Sequence, residues 1–308
     1  ESWKGSGDEG GPGAWFALRD ASGATSFHGY ELEETSGRLV AIVAEGLPVN
    51  GLAAGQRAEL VFDITPFYAE SGGQAGDRGD IRFPGGGVFR VEDVQKRAGD
   101  VFAHLGEMTA GAAKVGSVAE LRIDRVRRAR IRANHSATHL LHAALRNRLG
   151  PHVTQKGSLV EADYFRFDFS HTAPLTREDV DALEAEVNAV IRQNAPAEIR
   201  EMTPAKAVES GALALFGEKY GDVVRVLRLG NALGDSPAEA GRPYSVELCG
   251  GTHVARTGDI ALFVITSEGG VSSGVRRIEG ATGEAALAFL KSRAALARFL
   301  GVSRARVT

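Results

Sequence analysis

Two short stretches carry side chains able to hold a metal ion: HSATH, from His135 to His139, and CGGTH, from Cys249 to His253. On a helix, residues i and i+4 lie one above the other, so His135 and His139 can turn both imidazoles toward one ion. The second stretch sets the sole cysteine of the 308-residue chain four positions before a histidine, across two glycines that let the backbone fold tightly. A thiolate and three imidazoles suit zinc by ligand softness and tetrahedral preference. The bland alternative is a buried neutral cysteine and three unrelated histidines, and the paired spacing at both ends favours the metal. Four protein ligands would close the site, whereas three would leave a position for water or substrate; both fit the spacing. The zinc-protease helix His-Glu-x-x-His needs a glutamate base where this chain has Ser136, which has no usable basicity, so a peptidase is disfavoured. His142 and His171 lack the paired spacing and are set aside as surface or supporting groups.

Other polar residues invite roles, each beside a plainer reading. The Thr138 hydroxyl can read a small polar substrate or serve helix packing. Gln155, in TQKGS, can orient a carbonyl or a water, although an amide at a strand end is common. Arg276 and Arg277 alternate faces on a strand, so one can point toward a pocket and the other toward solvent or RNA. Arg122, Arg125, Arg128 and Arg132 are spaced to share a helical face, with Arg127 and Arg130 beside it; the choice is between phosphate contact through guanidinium forks and a solvated charged face. The stretch ESGGQAGDRGDI, Glu70 to Ile81, is either a tight turn or a binding loop, and lacks the Gly-Lys-Ser/Thr of a phosphate-cradling loop.

These residues need elements to hold them. The chain is 43% hydrophobic with formal net charge −3, enough for two domains with cores of their own. One cysteine excludes an internal disulfide, and no run of about 18 apolar residues would span a bilayer; a reducing, cytoplasmic setting and no membrane partner are expected. Residues 1–24, glycine-rich at the start, read as a flexible lead-in. Across residues 14–123, short apolar runs (AWFALRD, RLVAIVAEG, RAELVFDITPFYAE, GDIRF, GVFRVEDVQ, DVFAHLGEM, SVAELRID) alternate with Gly- or Asp-rich breaks, predicting an antiparallel barrel or sandwich of roughly six to eight strands. Near Arg125 the period changes from two to about 3.6, predicting a long helix that ends at Gly150-Pro151. Beyond it, HVTQKGSLV and YFRFDFSH read as strands. Thr176 with Asp179 opens a second amphipathic helix, and further strands alternate with helices to a final alanine- and leucine-rich helix from Gly283. The expected class is α+β: an N-terminal small β-barrel over 25–123, then a two-layer α/β domain over 124–284 with an antiparallel or mixed sheet, and the start of a linker helix over 285–308.

Together HSATHLLHAALR, QKGSLV, RFDFSH, ALFGEKYGD, ELCGGTHV and GVRRIEGATG, with TPFYAESGGQAGDRG before them, closely resemble the editing region of alanyl-tRNA synthetases, shared with free-standing alanyl-tRNA editing proteins. The resemblance runs from about Phe27 to Gly283. It implies Zn2+ on His135, His139, Cys249 and His253, a pocket lined by Thr138, Gln155 and Arg276, and a glycine loop close to that pocket or to the tRNA end. The implied partner is tRNA(Ala), especially its aminoacylated 3′ end. The implied activity is aminoacyl-tRNA deacylation, releasing serine or glycine wrongly attached to that tRNA, within an alanine–tRNA ligase whose own synthetic motifs and ATP site are missing here. A free-standing trans-editing protein and an RNA-binding module with a purely structural zinc are the alternatives. The missing start methionine and the extra segments at both ends favour a synthetase fragment. The insertion from Asn231 to Pro243 is longer than the family pattern suggests.

Overall fold

The fold is described from a computed structural model covering residues 12–213, 221–234 and 241–299. Most of ALFGEKYGD and the middle of the Asn231–Pro243 insertion lie outside the described residues, as do both ends of the chain. The chain divides into two compact units, residues 1–71 with 75–128, and residues 72–74 with 129–308.

In the first unit, β1 (Glu34–Ala44), β2 (Arg57–Phe62), β3 (Gly79–Phe83), β4 (Gly87–Arg97), β5 (Val101–Ala110) and β6 (Val118–Ile123) form a closed antiparallel barrel in the order β1-β2-β5-β4-β3-β6, with β6 returning to β1. Closure leaves no unpaired edge in the ring. The alternation seen in the sequence is the alternation of faces: along β6, Ala119, Leu121 and Ile123 are buried and the residues between them exposed. The interior is filled by Leu39, Leu60, Phe62, Ile81, Phe89 and Leu121, among others.

Two expectations fail here. Residues Pro12–Ser22, read partly as flexible lead-in and partly as a strand, form helix α1. Trp15 and Leu18, three apart, reach one cluster with Ala41, Val61, Val101 and Ala103, a helical spacing that the short run AWFALRD did not betray. The arginines likewise do not share one helical face, although the exposed Arg122, Arg125 and Arg130 fit the reading of a solvated charged surface. Arg122 sits on β6 with Glu34 and Glu120; Arg125 pairs with Glu33 and Glu34; Arg127 donates to the Gly76 carbonyl; and Arg128 is fully buried on Asp77. Arg130, in the second unit, pairs with Asp163 and Glu284.

Helix α2 (Arg125–Leu149) stops at the expected Gly-Pro, and the boundary between the two clusters of contacts falls within it. In the second unit, β7 (Gln155–Val160), β8 (Phe165–Ser170), β12 (Phe263–Ser272) and β13 (Val275–Thr282) make an antiparallel sheet in the order β7-β8-β13-β12. Strands β9 (Glu198–Met202), β10 (Val224–Asn231) and β11 (Pro243–Leu248) make a second one in chain order. Helix α3 (Arg177–Arg192) opens with the Thr176–Asp179 capping box and buries Leu183, Val187, Val190 and Ile191, the i, i+4, i+7, i+8 stripe of an amphipathic helix. Leu140, Leu141, Ala144 and Leu145 of α2 share one core with Phe165, Phe167 and Phe169 of β8; each phenylalanine contributes roughly 1.5–3 kcal/mol by leaving water. The short helix α4 (Pro204–Glu209) follows β9, and α5 (Gly283–Phe299) starts with Ala286 buried against Val264 and Ala281. No described helix is long and apolar enough to cross a membrane. The α+β expectation, barrel first, is met, and both sheets of the second unit are antiparallel.

Candidate metal centre

Helix α2 presents His135 and His139 one turn apart, both nearly buried, and the chain leaving β11 brings Cys249 and the half-buried His253 to them. The four ligand atoms lie within 4.8 Å of one another. Cys249 Sγ is 3.4 Å from His135 Nε2 and 3.2 Å from His253 Nε2. In a tetrahedral zinc site with ordinary bond lengths, ligand atoms stand about 3.3–3.8 Å apart. Gly251 makes the tight return possible: a Cβ there would lie 2.2 Å from His135 Cε1.

The outer nitrogens strengthen the fit. His135 Nδ1 donates to Gln74 Oε1 at 2.8 Å, His139 Nδ1 to Glu247 Oε2 at 2.6 Å, and His253 Nδ1 meets the Ser136 hydroxyl at 3.3 Å. All three imidazoles are tethered through Nδ1, which leaves all three Nε2 atoms as the metal-binding ones. His139 Nε2 is buried and has no protein hydrogen-bond partner, an orphan that a metal would satisfy. The residues present therefore fit a zinc ion.

Electrostatics place Cys249 and His253 in binding form. Burial alone would raise the Cys249 thiol, but His135, His253 and His139 hold it well below the usual thiol range. Burial lowers the His253 imidazole, and His135 and His139 oppose its protonation, leaving it at about 3 and neutral. A thiolate and a neutral imidazole are the species that ligate. Burial would also lower His139, yet Cys249 and Glu247 carry it to about 10, so this imidazole must give up a proton to ligate. Glu247, which burial would raise, is held at about 2 by His139 and His142.

Of the three pocket candidates, Thr138 is buried on α2 and donates its hydroxyl to the Asn134 carbonyl at 2.9 Å, the packing role weighed for it. Gln155 is half-buried at the start of β7, opposite Phe169. Arg276 is mostly buried on β13 and donates Nε–H to Glu268, while Arg277 forks onto Asp168 at 2.7 and 2.8 Å. His171 pairs with His152 near the surface. His142 is no surface residue: 4% exposed, it donates to Glu247 Oε1 at 2.8 Å.

Two supporting residues, Glu247 and Gln74, escaped the sequence reading, and a third, His142, set aside as a surface or supporting group, proves to be the latter. His142 follows His139 by three positions on the same helical face, and Glu247 precedes Cys249 by two at the end of β11; both spacings were available signals. Gln74 carried none beyond its place in a glycine-rich loop.

A family model for tRNA synthetases class II (A) matches residues 8–127, and one for the threonyl and alanyl tRNA synthetase second additional domain matches residues 224–279. The class is thus that of aminoacyl-tRNA synthetases. Similar curated proteins include the alanine–tRNA ligases of Hyphomonas neptunium, 61% identical over 292 residues (95% of this chain, 32% of that protein), and of Caulobacter sp. strain K31, 57% identical over 299 residues (97% and 33%). That of Granulibacter bethesdensis is 55% identical over 288 residues (93% and 32%). The chain belongs to the alanyl-tRNA synthetase family and spans about a third of the length of the curated relatives it matches.

Proposed function

We propose that this chain is the editing part of an alanyl-tRNA synthetase, acting in the cytoplasm as an aminoacyl-tRNA deacylase that hydrolyses the ester joining serine or glycine to the 3′ end of tRNA(Ala). The observation that carries the reading is the convergence of Cys249 Sγ and three imidazoles tethered by their outer nitrogens in a chain so close to alanine–tRNA ligases. Editing answers a selectivity problem, because a pocket shaped for alanine cannot reject glycine, and rejects serine weakly, by size alone. The parent enzyme would join alanine to tRNA(Ala) elsewhere in its length.

His135, His139, Cys249 and His253 would hold Zn2+, which supplies a Lewis acid to the substrate's amino group and ester. Gln155, an amide with both donor and acceptor, positions the attacking water or the carbonyl oxygen. Thr138 spends its proton on Asn134 and keeps its oxygen lone pairs to accept from the hydroxyl or amine of the misattached residue. Arg276 spends Nε–H on Glu268 and offers the rest of its fork to the tRNA end. Gln155 and backbone N–H groups stabilise the charge that grows on the carbonyl oxygen.

One observation favours a second reading: four protein ligands complete a tetrahedron, as in structural zinc sites, which would make the domain an RNA-binding module. Amino-acid release from serylated, glycylated and alanylated tRNA(Ala) separates the two. The editing reading expects fast release of serine and glycine and an intact alanyl ester. Binding of tRNA with serine release no faster than in buffer would establish the structural reading.

A further inference from the structure

Gln74 is fully buried and makes three hydrogen bonds, all to the two metal-binding stretches. Its Oε1 accepts from His135 Nδ1 at 2.8 Å and from the Thr252 backbone N–H at 2.9 Å, and its Nε2 donates to Thr252 Oγ1 at 2.9 Å. One amide thus ties the helix that carries His135 and His139 to the loop that carries Cys249 and His253. The surroundings are shaped for it. Gly73 has φ +83°, a left-handed conformation that favours glycine, and a Cβ there would lie 2.5 Å from the Ser158 carbonyl. The Gly73 carbonyl accepts from Val160 N–H at 2.7 Å, and Gln74 bridges to Val160 in parallel register, so the backbone that aims Gln74 is pinned on β7. Across from it, a Cβ on Gly251 would lie 2.8 Å from Gln74 Oε1, so the loop is bare of side chain where the amide enters.

We infer that Gln74 is a positioning residue that clamps the two halves of the metal site together and sets its affinity for zinc. Resting on the zinc reading above, the inference adds a determinant outside the ligand set. A single oxygen holding both His135 Nδ1–H and Thr252 N–H fixes which nitrogen of His135 faces the thiolate, and also fixes the turn that brings His253 back to Cys249. Without the clamp, each half keeps its two ligands but must be ordered against the other when the metal binds. Outer hydrogen-bond partners of this kind typically change metal affinity about 10–100-fold, and one that spans both half-sites belongs at the upper end.

The test measures Zn2+ affinity of the full 308-residue chain by competition with a chromophoric chelator, for wild type, Gln74→Met, Gln74→Glu and Thr257→Val. Methionine keeps the bulk and removes all three hydrogen bonds. Glutamate keeps the acceptor for His135 and Thr252. Thr257 is fully buried in the same unit, where its hydroxyl accepts from Ala195 N–H at 3.0 Å, so its valine variant reports the effect of general destabilisation. The expected result is a loss of about 100-fold for Gln74→Met, recovery to within about tenfold for Gln74→Glu, and no change for Thr257→Val. Wild-type affinity in Gln74→Met, the same loss in Thr257→Val, or no recovery in Gln74→Glu would overturn the clamp. A wild-type chain that binds no zinc would instead overturn the metal reading on which the clamp rests.

Discussion

Each unit buries a cluster of charged and polar side chains, and the two clusters are finished differently. In the first unit, Arg128 is wholly enclosed and its guanidinium is engaged throughout: Nε to Asp77, one amino group to the Gly29 carbonyl at 2.7 Å, the other to Asp77 and to the Pro66 carbonyl. Elsewhere in the same unit, buried His104 gives Nδ1–H to the Leu60 carbonyl and meets the Thr65 hydroxyl with Nε2. Every polar atom of these groups finds a protein partner. In the second unit the inner side is finished only by the thiolate: His135 and His253 turn Nε2 toward Cys249 Sγ at 3.4 and 3.2 Å, while His139 Nε2 has no hydrogen-bond partner, nor has Nε2 of the neighbouring His142. A closed cluster is architecture, whereas a cluster closed on its outer side and open on its inner side is a receptor. Burial and unusual titration are common to both, so neither by itself distinguishes a site from a strut.

The comparison can be broken in several ways. The largest effect is expected at the open cluster: Cys249→Ala should abolish stable zinc binding, measured as metal content after dialysis, because three neutral imidazoles lack the charge and the fourth ligand. Arg128→Met comes next. It strands the buried Asp77 carboxylate and should cost the first unit about 3–5 kcal/mol in chemical denaturation while leaving zinc content at the wild-type value. A drop in zinc content there would show that the closed cluster also serves the metal.

His104 gives a pH signature. Burial lowers its pKa from 6.5 to about 4, so the unfolded chain takes up the proton first as pH falls. Its contribution is fully present above pH 6.5 and is lost progressively down to about pH 4, by about 3 kcal/mol in total. The difference between the stability–pH curves of wild type and His104→Gln should show this slope, and parallel curves would refute it. The smallest effect is a control: Thr176→Ala removes the α3 cap and should cost about 1 kcal/mol in unfolding measurements with no change in zinc affinity.

The parts legible in the sequence were those whose signal is local. The i, i+4 histidines, the Cys-Gly-Gly-Thr-His turn and the Thr176–Asp179 box each lie within five residues, and the barrel declares itself through strict alternation along strands such as β6. What escaped was set by tertiary approach. Gln74 stands 61 positions from His135, and nothing in an amide set in a glycine-rich loop says which histidine it will meet. The arginine stripe misled for a related reason. Spacing put Arg122 and Arg128 on one helical face, but β6 claims Arg122, and Asp77, 51 positions before Arg128, draws that residue into the core.

The central claim, that the inner side of the second cluster is a four-ligand metal site, is tested most directly by adding Co2+ to the metal-free chain and recording its absorption spectrum. The account predicts one equivalent bound, with the strong visible bands of a tetrahedral ion and a thiolate-to-cobalt charge-transfer band that disappears in Cys249→Ala. A weak octahedral spectrum without the thiolate band, or no binding, would contradict it.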